Sequence, residues 1–208
     1  MNSQSPLQTE LIFIRHGEPV LRNTFLGRTD SPLTDKGWQQ LFSAFESLTD
    51  FDRLITSPLR RCHAFAAQIA EEKSRPLTVD TAFREYDFGE WDGLSFAELH
   101  DRDPELMSNY FSDPATITPP QGESLIGFSA RVQQAIESLL RQHMGKRLVV
   151  LCHAGVIRTA VAWCLNLPYE KAIHIHRLGI DYGSQTKIIV HHTEGNSYPQ
   201  LVGMNICG

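Results

Sequence analysis

The stretch Leu11–Glu18, LIFIRHGE, decides how the whole chain is read. Leu11 to Ile14 have the length and β-branched character of a buried strand, and they run directly into Arg15, His16 and Gly17. Two later stretches repeat the plan. Arg53 to Thr56 (RLIT) runs into Ser57-Pro58-Leu59-Arg60-Arg61, and Leu148 to Cys152 (LVVLC) runs into His153-Ala154-Gly155. Each strand pattern is followed by helical spacing. Thr34 is an expected N-cap for a helix to Leu48, with Trp38, Leu41, Phe42, Phe45 and Leu48 on one face. Ser57-Pro58 suggests an N-cap and a first-turn proline for a helix to about Ala70. Further helices are expected from Glu123 to about Met144 and from Gly155 to about Leu165. Strands alternating with helices predict an α/β fold around a parallel sheet.

In such a sheet, ligands bind in the crevice beyond the carboxyl ends of the strands. Arg15, His16, Arg60 and His153 are therefore delivered to one place from separate parts of the chain. A guanidinium presents paired donors that match phosphate oxygens, so Arg15 and Arg60 can hold a dianion together. Arg60 in the first turn of its helix adds backbone N–H groups that favour an anion. A neutral imidazole is a competent nucleophile, and a phosphohistidine divides one hard displacement into two easier ones. Gly17 leaves space for a ligand to approach the backbone. His153 is placed to donate to phosphate oxygens as charge develops on them. A leaving alkoxide needs a proton donor, and the segment FREYDFGEWDG supplies candidates. Glu85 is preferred for its neighbours Phe83, Tyr86, Phe88 and Trp91, while Asp87, Glu90 and Asp92 compete with it on spacing alone. Arg61 and Arg22 are read as surface residues.

The remaining composition narrows the class. A chain of 208 residues with 41% hydrophobic side chains can bury one substantial core, so a single domain over 1–208 is expected. The aromatic, acidic and proline-rich stretch from about 86 to 122 reads as a cap-like insertion in that domain. A formal charge of -5 argues against nucleic acid or an anionic membrane as partner, so an anionic substrate has to be met by local cations. The first ten residues carry no secretory pattern, and no long apolar run follows, which predicts a soluble cytoplasmic protein. Cys62, Cys152, Cys164 and Cys207 lack metal or disulfide spacing and are read as free thiols. His174 with His176, and His191 with His192, have no Cys or carboxylate at ligand spacing, so no metal and no cofactor are expected. Ile173 to Val190 is read as two strands joined by a turn at Asp181 to Ser184, an edge at which a homodimer could form.

The ordered set RHGEP, TDSPLTDKGWQQ, ITSPLRRC, FREYDFGEWDG, PQGES and VVLCHAGVIR, from Ile12 to about Arg158, resembles the histidine phosphatase superfamily, the phosphoglycerate mutase-like group. The resemblance implies a three-layer α/β/α sandwich with a mostly parallel central sheet and a reaction without metal. It implies His16 as nucleophile, Arg15, Arg60 and His153 around the phosphate, and Glu85 as acid and then base. The partner implied is a small phosphorylated metabolite. GRTDSPL, FGEWDG and the chain's length are most similar to the branch acting on α-ribazole 5′-phosphate. Mutases, broad-specificity sugar phosphatases and non-catalytic phosphate-binding modules are the alternatives. Many relatives hold phosphate with an asparagine at the position of Arg22; here Asn23 stands one residue later, on a loop shorter than in the mutases. Phe65-Ala66 replaces the usual Thr-Ala, a packing change.

Overall fold

The strand begun by LIFI extends further than its apolar run, as β1 (Leu7–Arg15), because it has a neighbour on each side. It pairs in parallel with β4 (Arg147–Cys152) and antiparallel with β5 (Gln185–Thr193). The computed structural model describes residues 7–48, 50–168, 172 and 174–207. With β2 (Arg53–Thr56), β3 (Leu77–Val79) and β6 (Asn196–Ile206), the sheet order is β3-β2-β4-β1-β5-β6. The pairings among the first four strands of that order are parallel, and those of β1 with β5 and of β5 with β6 are antiparallel. Successive residues of a strand face opposite sides. Accordingly Ile12 and Ile14 pack into one apolar layer with Leu41, Phe45 and Phe65, while Leu11 and Phe13 join Phe128, Val132 and Ile157 in the other. Helices on both faces of a mostly parallel sheet make the three-layer α/β/α architecture.

The first of those layers is covered by α1 (Asp35–Glu46) and α2 (Arg60–Glu72), the second by α5 (Leu125–Gln142) and α6 (Ala154–Cys164). Thr34 caps α1 as expected, its hydroxyl accepting from Gly37 N at 3.0 Å. The segment between β3 and α5 carries two short helices, α3 (Phe96–Arg102) and α4 (Pro104–Ser112). Around them Phe25, Trp91, Leu99, Met107 and Tyr110 form a small apolar cluster of their own.

Two expectations need correction. The helix after β2 does not start at Ser57-Pro58: Leu59 is the N-cap and Arg60 the first helical residue. The two-strand reading of 173–190 holds only in its second half. His174 to Arg177 form a helical turn, α7, and β5 pairs instead with the later β6 through a turn at Glu194-Gly195, where Gly195 has φ +79°. Ile173 lies outside the described residues. β6 carries Pro199, which a sheet tolerates at its edge, where no ladder N–H is missed. β5 therefore lies inside the sheet, and the edge offered to a second copy is not 173–190. The four cysteines are free, as expected, with Cys62 and Cys152 buried. Among the described residues no helix is long and apolar enough to cross a membrane.

Candidate active site

Strands β1, β4 and β2 are neighbours, so their carboxyl ends place His16, His153 and Ser57 side by side. The ladder continues past the strands: His16 N donates to Cys152 O at 2.9 Å, and Ser57 N to Leu151 O at 3.1 Å. The two imidazole rings stand edge to face, with centroids 5.2 Å apart.

His16 is 5% exposed, and its Nδ1 lies 2.7 Å from Gly17 O. A carbonyl can only accept, so Nδ1 carries the proton and Nε2 keeps a lone pair. Burial, then the neighbouring charges of Arg61 and Arg15, hold the His16 imidazole well below the usual histidine range and keep it neutral. The result is a buried, neutral imidazole with a defined nucleophilic nitrogen. Gly17 does not serve ligand approach as expected. A Cβ there would lie 1.9 Å from Gly37 O, so the glycine lets β1 and α1 touch.

His153 is fully buried and its ring is fixed from two sides. Arg61 Nε, which can only donate, hydrogen-bonds to Nδ1 at 3.3 Å, so the ring proton is on Nε2, which donates to Ser57 Oγ at 2.7 Å. Burial, with Arg61, His16 and Arg15 adding to it, keeps this imidazole well below the usual range too. The N–H proposed for a phosphate oxygen thus points at Ser57. Because Ser57 Oγ already accepts from His153 and from Leu59 N, its own hydroxyl proton can be donated onward. Sequence reasoning read Ser57 as a helix cap and missed this place beside His153.

The arginine from the second strand end is Arg61, not Arg60. Arg60 is exposed, and the backbone N–H expected to favour a ligand donates to Asp30 Oδ1 at 2.6 Å. Arg61 is fully buried. Besides His153, it donates through Nη1 to Thr29 O at 2.9 Å and through Nη2 to Leu26 O at 2.9 Å and Gly27 O at 3.1 Å. One residue along a helix rotates the side chain by about 100°. With α2 starting two residues later than expected, Arg61 faces the core with Cys62, Phe65 and Ile69. The signal was present: Phe65 and Ile69 lie four and eight residues beyond Arg61. On the other flank Arg15 is held by Nη1 to Ile180 O at 2.5 Å, and its guanidinium carbon lies 3.8 Å from the centre of the Tyr182 ring. Sequence reasoning did not single out Tyr182, whose ring also lies 5.6 Å from that of His16.

The four competing carboxylates separate by their contacts. Asp92 accepts from Gly27 N, Arg28 N and Thr29 N, and Asp87 accepts from Gly89 N and pairs with Arg28 Nε at 3.1 Å. Glu90 is exposed and bonds Gln121. Glu85 alone among these four leans on the start of α6, accepting from Gly155 N at 3.2 Å and from Tyr86 N at 3.0 Å, two residues from His153. Gly155 makes that approach possible, since a Cβ there would meet Glu85 Oε1 at 2.3 Å. Asn23 is exposed at φ +57°, its carbonyl accepting from Phe96 N at 3.2 Å. Arg22 is exposed and pairs with Glu18 at 3.3 Å. Of the late histidines, His191 and His192 use their nitrogens locally: His191 meets Gln8 Nε2 at 3.3 Å and Gln200 Oε1 at 3.2 Å, and His192 meets Thr9 Oγ1 at 2.7 Å and Ser197 Oγ at 3.0 Å.

A family model, the histidine phosphatase superfamily (branch 1), matches residues 11–205. The chain belongs to this superfamily. Within the superfamily it is 31% identical over 200 residues to the bifunctional protein Rv2228c of Mycobacterium tuberculosis, an alignment covering 93% of this chain and 53% of that protein. The chain thus spans about half the length of that relative. It is 26% identical to the adenosylcobalamin/alpha-ribazole phosphatase of Escherichia coli, over 87% of this chain and 90% of that enzyme. Among solved structures, the mycobacterial glucosyl-3-phosphoglycerate phosphatase Rv2419c superposes with a TM-score of 0.83 at 25% identity, covering 95% of this chain and 99% of that one. Phosphoglycerate mutase-like architecture is therefore shared well beyond the His16 motif.

Proposed function

We propose that this chain is a metal-independent phosphomonoesterase that works through a phosphohistidine at His16, with α-ribazole 5′-phosphate, from the assembly of cobalamin's lower loop, as leading substrate. The observation that carries the reading is the 2.7 Å bond from His16 Nδ1 to Gly17 O, which leaves a lone pair on Nε2 of a buried neutral ring. In the first step Nε2 attacks phosphorus, the ester P–O bond breaks, and Glu85 gives a proton to the departing oxygen. In the second, Glu85 takes a proton from water, the resulting hydroxide attacks phosphorus, the P–N bond breaks, and inorganic phosphate leaves. General acid–base help of this kind contributes roughly 10²- to 10⁴-fold. Arg15 and Arg61 supply fixed positive charge for the phosphoryl oxygens, where an overall charge of -5 offers none. Ser57, its hydroxyl oriented by the N–H of His153, donates to them from the side, with Asn23 at the rim. The substrate assignment is supported by the GRTDSPL and FGEWDG segments and by the Escherichia coli relative. The enzyme would act in the cytoplasm, as one domain with a cap at 86–122, alone or as a homodimer.

Product analysis tests the reaction. Wild type incubated with a ³²P-labelled monoester should release inorganic phosphate and carry acid-labile, base-stable label, both lost in His16→Ala. Interconversion of phosphoglycerates without phosphate release would replace the hydrolase by a mutase. Full turnover in His16→Ala would remove the proposed nucleophile.

A further inference from the structure

Beside the catalytic groups lies an open cavity of about 300 Å³. Its walls come from distant parts of the chain: Phe25 on the loop after β1, Phe88 three residues beyond Glu85, and Phe96, Tyr110 and Phe111 from the inserted helices. Arg158 of α6 and His176 of α7 complete it. The cavity lies against the reaction centre: Arg158 stands about one turn along α6 from Gly155, whose N–H donates to Glu85, and Phe88 packs edge to face on Tyr86, the residue after Glu85, at 5.0 Å. A volume near the lower end of the few-hundred to 1,000 Å³ of small-molecule sites leaves room for one ring system.

The lining is selective. Phe96 and Phe111 are each 43% exposed, apolar rings held at the surface of a concavity rather than in a core. They are held by ring contacts, Phe25 edge to face with Phe96 at 4.7 Å and His176 tilted against Phe111 at 4.7 Å. Two polar atoms of the lining, Thr24 Oγ1 and His176 Nε2, are buried without a hydrogen-bonding partner, which is costly unless a ligand meets them. Arg158 Nε donates to Leu178 O at 2.9 Å, fixing the remaining guanidinium donors. A sugar would bring more hydroxyls than these few polar atoms among aromatic walls can bond. An amino-acid ester would bring an ammonium with no carboxylate among the lining residues.

We infer that this cavity is the leaving-group pocket, and that the ester it takes carries a planar, nitrogen-containing aromatic ring whose edge meets Thr24 and His176. This rests on the phosphatase reading and narrows it to ring-bearing monoesters, a class to which α-ribazole 5′-phosphate belongs through its benzimidazole. It separates this chain from phosphatases of sugars and amino acids.

The test compares kcat/KM for benzimidazole riboside 5′-phosphate, ribose 5-phosphate and phosphoserine. Stacking of a base on aromatic side chains corresponds to roughly 10- to 100-fold, so the wild type should prefer the ring-bearing ester by that margin. Phe111→Ala, at an exposed position that folding tolerates, should cut the preference ratio about tenfold, and Phe111→Trp should restore it. Equal use of ribose 5-phosphate, or an unchanged ratio in Phe111→Ala and Phe96→Ala alike, overturns the pocket while leaving the phosphatase intact. Failure of the phosphatase reading looks different: no ester is hydrolysed and His16 takes no label. Calorimetric binding of the same esters to His16→Ala then decides the pocket without turnover, equal affinities overturning it.

Discussion

Arg60 and Arg61 are adjacent in sequence and opposite in surroundings, which makes them a sharp test of the site. Arg61→Ala removes a buried cation that donates to His153 Nδ1 and to the carbonyls of Leu26, Gly27 and Thr29. Each hydrogen bond from a charged donor is worth about 1.5–3 kcal/mol, but water entering the vacated space recovers part of the sum. Loss of one partner of a buried charged network costs about 3–5 kcal/mol, a large share of the 5–15 kcal/mol that holds a domain folded. With a urea slope of about 2 kcal/mol per M, the unfolding midpoint should fall by about 2 M. Activity should drop further than stability explains. At urea-free conditions where the variant is folded, kcat/KM should be down about 10²- to 10³-fold, as for loss of an oriented donor at developing charge. Arg60→Ala keeps the backbone bond to Asp30 and removes only an exposed side chain. Its stability should lie within about 0.5 kcal/mol and its activity within about twofold of wild type. Urea titration followed by tryptophan fluorescence, with phosphate release from a soluble monoester, reads both quantities. If Arg60→Ala is the damaged variant, or if Arg61→Ala matches wild type, the placement of Arg61 at the reaction centre is wrong.

Gly155→Ala places a methyl 2.3 Å from Glu85 Oε1. A flexible carboxylate can swing away, so the protein should stay folded, with a midpoint near wild type, while kcat falls by about 10²-fold or more as the acid leaves its place; unchanged kcat would remove Glu85 from the chemistry. His16 and His153 are both held below the usual histidine pKa in the folded protein. Below about pH 6.5 the unfolded chain binds protons that the folded one refuses, so stability is full above that pH and falls on acidification. Each ring contributes up to about 1.4 kcal/mol per pH unit, and urea titrations between pH 7 and 5 should show the slope shrinking in His16→Ala.

Much of the fold was legible because the residues that build it obey simple periods. Leu11 to Ile14 and Leu148 to Cys152 are buried on both faces, which leaves near-continuous apolar runs. Thr34 and the spacing of Leu41 and Phe45 declare α1. What escaped has physical causes. Pro58 suggested an early helix start, and that shift turned the wrong arginine inward, although the spacing of Phe65 and Ile69 marks Arg61. β6 is an edge strand with Tyr198 and Val202 about half exposed, so its alternation carries little apolar signal, and a proline inside the run, Pro199, weakens it further. Gly17 looked like ligand space because its true neighbour, Gly37, is twenty residues away in sequence. Contacts between distant segments, such as Asp92 with the N–H groups of Gly27 and Thr29, have no local signature.

Those distant contacts join the two halves of the site. The Leu26–Thr29 loop is gripped along both polar edges: Arg61, a buried cation, takes its carbonyls, and Asp92, a carboxylate of the inserted segment, takes its N–H groups. Neither grip would be strong in water, where such bonds are worth about 1 kcal/mol each, but burial makes an unpaired group costly and so makes the arrangement hard to leave. The same Arg61 orients His153 and, with Arg15, adds to the burial that keeps His16 unprotonated. A cation that attracts phosphate would ordinarily be neutralised by a nearby carboxylate, and in the interior its charge would be expensive to leave unpaired. Carbonyl oxygens solve this conflict. They satisfy the guanidinium N–H groups without cancelling its charge, so that charge still acts on His16, and at the phosphate position proposed beside it, in a protein that is negative overall. An acidic partner for Arg61 would give a more conventional ion pair and a weaker phosphate site.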